Sequence, residues 1–326
     1  MNFDRRIFLH LAAGAAAAPA LTGSAWAQGY PTRPVRMIVP FAPGGQNDAI
    51  GRLIAQKLSE NLGKQYIIEN VGGGGGVVGT VRAAQAAPDG YTLLVMDTGF
   101  VINPFVYPKV NYDPFKDFEP VSIAVTTTQV LTVTPSLPVK TVKELVELVK
   151  ANPGKFSYAS PGIGTPGHMT AELFRLSLGL DLVHVPFNGA GPAVASTIGG
   201  HTPIAFGSPA SSVAQVKDGK LRGLAVASGK RLVALPDLPT MAQEGFPDID
   251  VEFWVAIFAP VSTPKDIVAT LNREADKAVA LADVRQRLDS LGFEPAGIAL
   301  ADSAAKLRSE SAKWVKVVQA AGIRAG

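Results

Sequence analysis

Residues 35–52 read VRMIVPFAPGGQNDAIGR, and this stretch decides the fold. The apolar run from Val35 to Phe41 has the length of a strand, and the Pro-Gly-Gly segment at 43–45 breaks it. Asn47 is the predicted N-cap of a helix that Gly63 ends. A glycine turn that leads into a helix leaves several backbone N–H groups unpaired and aimed at one point. The stretch therefore predicts a strand, a loop suited to an anion, and a helix.

The composition excludes several classes of protein. At 326 residues, with 47% hydrophobic and 17% charged residues, the chain is long enough for two lobes. The formal net charge of +3 is spread along the sequence without a basic cluster, so no nucleic-acid partner is expected. The sequence contains no cysteine, which removes disulfides, thiolate metal sites, cysteine nucleophiles and a lipoprotein anchor.

Residues 1–27 predict a cleaved export signal. Two arginines at 5–6 precede an alanine-rich apolar stretch, and the Ala-Trp-Ala at 25–27 has the pattern after which signal peptidase cuts. The segment DRRIFL at 4–9 resembles the twin-arginine consensus, and an ordinary secretory signal is the alternative. No later apolar run approaches the roughly 20 residues that span a bilayer. We therefore expect a soluble periplasmic protein, cleaved after Ala27.

The rest of the chain alternates strand and helix patterns, which predicts an α/β fold with a mainly parallel sheet in each of two lobes. Residues 28–128 with 253–326 form predicted lobe I, and residues 129–252 form predicted lobe II. Lobe II opens with a capping box at Thr141, three residues before a glutamate. Because ligands of open parallel sheets bind beyond the carboxyl ends of the strands, the loops there line the predicted cleft. These loops follow Phe41, Asp97, Ser160, Phe187 and Gly207.

A second glycine loop, SPGIGTPGH at 160–168, matches the first one. It follows a predicted strand, and it offers Thr165 as N-cap with Pro166 at the first helical position. Taken alone, such a loop is also compatible with an ordinary strand-to-helix turn. A matching loop at the start of each lobe favours an anion cradle between them.

Eight sequence motifs follow one another along the predicted mature chain. They are VPFAPGG at 39–45 with Asp48, ENVGGGGGVVG at 69–79, PDGYTLL at 88–94, YASPGIGT at 158–165 with His168, VPFNG at 185–189, GKLRGLAV at 219–226, LPDLPT at 235–240 and FAP at 258–260. These motifs resemble the periplasmic substrate-binding proteins of tripartite tricarboxylate transporters, the Bug-type receptors. The resemblance implies a type II Venus-flytrap fold with the ligand in the cleft between the lobes. It also implies a monomeric receptor without cofactor, which captures a small carboxylate and delivers it to membrane permease subunits.

The resemblance also implies that backbone groups and ordered water hold the ligand carboxylate. The residues carried over are Phe41, Ala42, Pro43, Gly44, Gly45 and Asp48 in lobe I, and Ser160, Gly162, Gly164, Thr165 and His168 in lobe II. Further candidates on the neighbouring loops are Phe187, Asn188, Gly207 and Ser208, with Asp97 and Thr98 on the third loop of lobe I. Gln46 and Asn47 replace smaller residues of the family and could bind the ligand or cap the helix. His168 could donate to a second carboxylate or cap its own helix.

The chain departs from family members that bind α-amino acids. Those members usually carry an aspartate in the loop that here reads Gly207-Ser208-Pro209. We therefore expect a ligand without an amino group, either a di- or tricarboxylate or an aromatic acid.

An enzyme is the main alternative. Gly74-x-Gly76-x-x-Gly79 satisfies the dinucleotide fingerprint, and Asp97 follows near the expected spacing, which would suit an exported NAD(P)-dependent oxidoreductase. Against this interpretation, three residues separate the strand from the fingerprint and the helix is short. The sequence also lacks the Gly-x-Ser-x-Gly and His-Glu-x-x-His motifs of hydrolases. A purely structural or partner-binding exported protein, without ligand-induced closure, is a third possibility.

Overall fold

Two sheets flanked by helices organise the computed structural model, which describes residues 29–325. The strands are β1 Val35–Val39, β2 Tyr66–Asn70, β3 Thr92–Asp97, β4 Phe118–Thr127, β5 Val130–Val133, β6 Phe156–Ser160, β7 Leu182–Pro186, β8 Ile204–Gly207, β9 Arg222–Val226, β10 Phe253–Pro260 and β11 Phe293–Pro295. The helices are α1 Gln46–Leu62, α2 Val77–Ala84, α3 Gly99–Val106, α4 Val142–Lys150, α5 Pro166–Ser177, α6 Ala190–Ile198, α7 Pro209–Lys217, α8 Lys265–Ala280, α9 Ala282–Ser290 and α10 Leu300–Ala321. The predicted signal at 1–27 lies outside the described residues.

The two sheets follow one pattern. The first has the order β11-β4-β10-β3-β1-β2, and the second has the order β7-β6-β8-β5-β9. Strand β1 pairs in parallel with β2 and β3, and strand β6 pairs in parallel with β7 and β8. The next position holds β10 or β5, a strand that arrives from the other sheet and runs antiparallel to its neighbours. The sheets are therefore mixed rather than mainly parallel, because the crossing strands return in the opposite direction.

Local sequence signals account for most element ends. Helix α1 ends at Gly63, which adopts the left-handed conformation as predicted. Helix α4 begins after Thr141, whose side chain accepts a hydrogen bond from the Glu144 N–H. The apolar stripe of α10 is buried at Leu307, Trp314 and Val318, and it packs against both sheets' cores. The lobe boundaries at 128 and 252 stay predictions.

One local expectation was wrong. The N-cap of α1 is Gly45 and not Asn47, whose side chain instead donates to Asp97. Helix α3 contains a proline, Pro104, in its interior. A proline leaves the carbonyl four residues earlier without its helical partner. Here the Phe100 carbonyl accepts a hydrogen bond of 3.0 Å from the Tyr112 hydroxyl, which compensates for the loss.

Candidate functional site

The two lobes touch each other along the loops that follow their strands. The Tyr107 hydroxyl, at the end of α3, donates to the Ile163 carbonyl in the second glycine loop at 3.1 Å. Gly75 faces the same carbonyl so closely that an added Cβ would lie 2.1 Å from its oxygen. On the other side of the cleft, an added Cβ on Gly189 would lie 3.1 Å from that of Ala42. The structure is therefore a closed arrangement of the lobes.

A cavity of about 30 Å³ lies between the two glycine loops. Its lining residues come from both lobes and from the crossing segment, and they are Phe41, Gly45, Gln46, Asn47, Asp97, Gln129, Pro161, Thr165, Pro166, Gly167, Ala190 and Ser208. A volume of this size holds about two water molecules. The cavity is therefore nearly closed in this structure.

Helix N-termini surround this cavity. Its wall contains Gln46 and Asn47 from the first turn of α1, Gly167 from the first turn of α5, and Ala190 from the start of α6. Ser208, the N-cap of α7, completes the ring. First-turn N–H groups have no partner within their own helix, and each helix end carries a partial positive charge. The cavity is therefore suited to a negatively charged group.

One wall of the cavity has the opposite polarity. Asp97, at the end of β3, accepts hydrogen bonds from Gln46 Nε2 at 2.8 Å, from Asn47 Nδ2 at 3.0 Å and from the Gly99 N–H at 2.9 Å. Burial raises the pKa of the Asp97 carboxyl, although the hydrogen bonds from Gln46, Gly99 and Asn47 act to lower it. From the sequence, Gln46, Asn47 and Asp97 were separate candidates. In the structure, hydrogen bonds join them into one cluster.

Asp48 holds the first glycine loop in shape and does not line the cavity. Its carboxylate accepts from the Gly44 N–H at 3.1 Å, from Asn70 Nδ2 at 3.0 Å and from Arg52 Nε at 3.0 Å. Burial opposes ionisation of Asp48, but hydrogen bonds from Arg52, Asn70 and Gly44 outweigh it and lower the pKa. Thr98 does not line the cavity either, and its hydroxyl accepts a hydrogen bond from the Trp254 N–H.

His168 lies behind the second glycine loop and not in the cavity wall. Its Nδ1 accepts from the Gly164 N–H at 3.1 Å, and its ring stacks on that of His184 at 4.1 Å between centroids. Burial, with smaller effects from nearby positive groups, lowers the pKa of His168 to about 3, so the ring is neutral. Ser160 is also turned away, because its hydroxyl pairs with His184 Nε2 at 2.7 Å. In this structure His168 contacts the loop before its own helix, and its role toward a ligand stays a prediction.

The remaining candidates surround the cavity without lining it. Gly164 lies against α3, because an added Cβ would lie 2.4 Å from Asn103 Oδ1. Phe187 packs on a small apolar cluster of the second sheet, whereas Asn188 is exposed. The others, which shape the turns, are Ala42, Pro43, Gly44, Gly162 and Gly207. Their roles toward a ligand stay predictions.

Five lining residues were not among the sequence candidates. Pro161, Pro166 and Gly167 lie inside the quoted loop, and Ala190 starts the helix after the VPFNG motif, so extending each loop into its helix would have found them. Gln129 sits between β4 and β5 and is 1% exposed. Its only sequence signal is an amide within a threonine-rich extended run.

A larger groove of about 350 Å³ lies beside the crossing segments, away from the glycine loops. It is lined by residues of both charges, such as Lys230, Arg231, Asp250 and Glu294. No helix within residues 29–325 begins in this groove, so it offers no converging first-turn N–H groups to an anion. We therefore place the candidate site in the smaller cavity.

The glycine fingerprint has a structural explanation in the described residues. Gly74–Gly76 form a short 3₁₀ turn at the contact between the lobes, where Gly75 meets Ile163. An added Cβ on Gly79 would lie 2.7 Å from the Pro40 side chain and from the Val71 carbonyl oxygen. These glycines permit close packing, and the dinucleotide-binding alternative is not favoured.

A family model described as the tripartite tricarboxylate transporter family receptor matches residues 50–323. The chain belongs to this receptor family. The receptor is similar to the periplasmic binding protein BugD, with 34% identity and a TM-score of 0.87 over 91% of this chain and 100% of that chain. It is also similar to an R. palustris protein solved with adipate, at 34% identity and a TM-score of 0.88 over 91% and 100% of the chains. MatC from Rhodopseudomonas palustris, solved with bound malate, gives 33% identity and a TM-score of 0.84 over 89% and 100%.

These comparisons confirm the two-lobed periplasmic binding protein fold and the Bug-type receptor family. The receptor is a solute-binding protein and not an enzyme. Within residues 29–325, no helix combines the length and the apolar character needed to cross a membrane.

Proposed function

We propose that the protein captures a small organic carboxylate between its two glycine-rich loops, at 41–48 and 160–168. The ligand is a di- or tricarboxylate or an aromatic acid, and the receptor delivers it to the membrane permease of a tripartite transporter. One observation carries the proposal: first-turn residues of helices from both lobes line the same cavity. Converging N–H groups and bridging water stabilise an anion without a buried cationic side chain.

Ligand binding is coupled to closure of the lobes. The contacts of Ile163 with Gly75 and Tyr107 exist only when the loops meet, as they do here. A carboxylate that accepts hydrogen bonds from both loops binds the closed state better than an open one, and so shifts the population toward closure. The closed surface is what a permease would recognise.

The solved relatives with adipate and malate support a carboxylate as the ligand class. Export to the periplasm with cleavage after Ala27, and action as a monomer, complete the proposal. The periplasmic relatives support this location.

A thermal-shift screen of the protein from Gln28 onward tests the proposal. The panel contains mono-, di- and tricarboxylates, aromatic acids, amino acids and NAD(P). A ligand at 100 times its Kd adds about 2.7 kcal/mol to the stability of the folded state, which raises the Tm measurably. We expect a shift with carboxylates and none with NAD(P). A shift with NAD(P) alone would contradict the proposal.

A further inference from the structure

The side chains at the Asp97 wall of the cavity leave hydrogen-bond acceptors without a donor. Asp97 is 3% exposed, and the hydrogen bonds that it accepts from described residues all come from uncharged groups. An ionised carboxylate only accepts hydrogen bonds, so the side-chain NH₂ groups of Gln46 and Asn47 both turn toward it. Their amide oxygens must then point away from Asp97.

Within residues 29–325, these two amide oxygens have no hydrogen-bond partner. Gln46 Oε1 and Asn47 Oδ1 are fully buried, and neither accepts a hydrogen bond from any residue of the described part of the chain, 29–325. Gln46 and Asn47 are 7% and 2% exposed, and both line the cavity. A buried acceptor without a donor destabilises a protein substantially. The arrangement is stable when a bound molecule supplies the donor.

We propose that the ligand carries a hydrogen-bond donor close to its carboxylate, as a 2-hydroxy or 2-amino acid does, and that Gln46, Asn47 and Asp97 recognise it. This inference rests on the proposed function, because the carboxylate is the group that the helix N-termini hold. The donor lies near the carboxylate because the same two residues, Gln46 and Asn47, carry the first-turn N–H groups and the unpartnered amide oxygens, and both residues line this one small cavity.

The charge of the cluster distinguishes the two kinds of donor. A hydroxyl supplies one hydrogen, whereas an ammonium supplies three and also offsets the negative charge of Asp97. Burial raises the pKa of Asp97, so a cation beside it removes an unfavourable interaction. Asp97 thus offers in lobe I the carboxylate that is absent from the Gly207-Ser208 loop of lobe II. The expectation of a ligand without an amino group rested on that loop alone.

Calorimetric titration of the wild-type protein with matched acids tests this inference. Within each of two sets, the acids differ only in the group on the second carbon, which is hydrogen, hydroxyl or ammonium. The first set is succinate, malate and aspartate, and the second set is propanoate, lactate and alanine. In the set that fits the cavity, we expect at least one donor-bearing acid to bind about tenfold or more tightly than its unsubstituted partner. Preference for the hydroxy acid or for the amino acid identifies the donor.

Three variants test whether the cluster of Gln46, Asn47 and Asp97 causes the preference for donor-bearing acids. Asp97→Asn frees the two amides to rotate, and Gln46→Met removes one acceptor at similar volume, so both should reduce the preference toward one. Gln129→Met is the matched control, because it deletes a buried amide of the same cavity whose Nε2 donates to the Thr128 carbonyl and not to Asp97. We expect it to keep the preference even if overall affinity falls.

The outcomes separate the inference from the proposed function. If an unsubstituted acid binds the wild type as tightly as its donor-bearing partners, the inference is wrong and carboxylate capture stands. If the preference exists but survives in both Asp97→Asn and Gln46→Met, recognition by this cluster is wrong. If no acid of these sets and no carboxylate of the wider panel binds, the proposed function fails and this inference fails with it.

Discussion

Substituting Gly75 with alanine should prevent full closure of the cleft. The added Cβ would lie 2.1 Å from the Ile163 carbonyl oxygen of the facing loop, whereas real Cβ atoms essentially never come closer than 3.0 Å to another atom. The loops must therefore separate by about 1 Å to restore normal van der Waals contact. Such a shift lengthens the 3.1 Å hydrogen bond from Tyr107 to the same oxygen beyond useful range.

The loss in affinity follows from that separation. A lost hydrogen bond costs about 1 kcal/mol, and the wider gap also weakens contacts from both loops to the ligand. We expect the Kd for the carboxylate chosen by the thermal-shift screen to rise about 10- to 100-fold, which corresponds to about 1.4–2.8 kcal/mol. Isothermal titration calorimetry measures this change directly.

Gly63→Ala is the matched control. Gly63 has a φ of 68° and Gly75 a φ of 58°, and no atom lies within 4 Å of the Cβ position at Gly63. Both alanine variants therefore carry the same left-handed backbone strain of about 1–2 kcal/mol, but only Gly75→Ala meets the other lobe. We expect Gly63→Ala to lose stability and keep its affinity. If the two variants bind with the same Kd, the closure argument is refuted.

Three further predictions concern stability, each measured by urea unfolding. Burial lowers the pKa of His168 to about 3 and that of His184 to about 4. Below about pH 6.5 the unfolded state therefore binds more protons than the folded state does. The free energy of unfolding should fall as the pH drops toward 4. For His168 this loss is about 2 kcal/mol at pH 5, and His168→Gln should make the pH dependence shallower; an unchanged dependence would contradict the burial argument. Asp48→Ala should cost about 1–3 kcal/mol because it leaves the partly buried hydrogen-bond donors of Gly44 and Asn70 unpaired. Arg52→Gln should cost under about 1 kcal/mol because the Arg52 side chain is 55% exposed, and equal losses would contradict this difference. Thr141→Ala should cost about 1 kcal/mol through its helix cap and leave ligand affinity unchanged, and no loss would show that the cap is dispensable.

The parts of the fold that depend on local signals could be predicted from sequence. The strand at Val35, the left-handed end of α1 at Gly63 and the cap at Thr141 each depend on residues within one or two turns. Helix α3 could not be predicted, because its proline is tolerated only through Tyr112, which lies 12 residues from the carbonyl that it satisfies. The antiparallel crossing strands depend on contacts between distant segments in the same way.

The candidate site likewise has parts that local sequence predicts and parts that depend on contacts between distant residues. The two glycine loops follow predicted strands, so topology alone brought them to one cleft. The cluster of Gln46, Asn47 and Asp97 joins residues about 50 positions apart, which is why Asn47 could be mistaken for a helix cap. Gln129 reaches the cavity through the crossing segment, and no local pattern marks that position.

The most direct test of the central claim is a crystal structure of the protein with the carboxylate that the thermal-shift screen selects. We predict a carboxylate oxygen within hydrogen-bonding distance of first-turn N–H groups of both α1 and α5, directly or through one ordered water. A ligand bound instead in the 350 Å³ groove beside the crossing segments, or one held by a single lobe, would contradict capture between the two glycine loops.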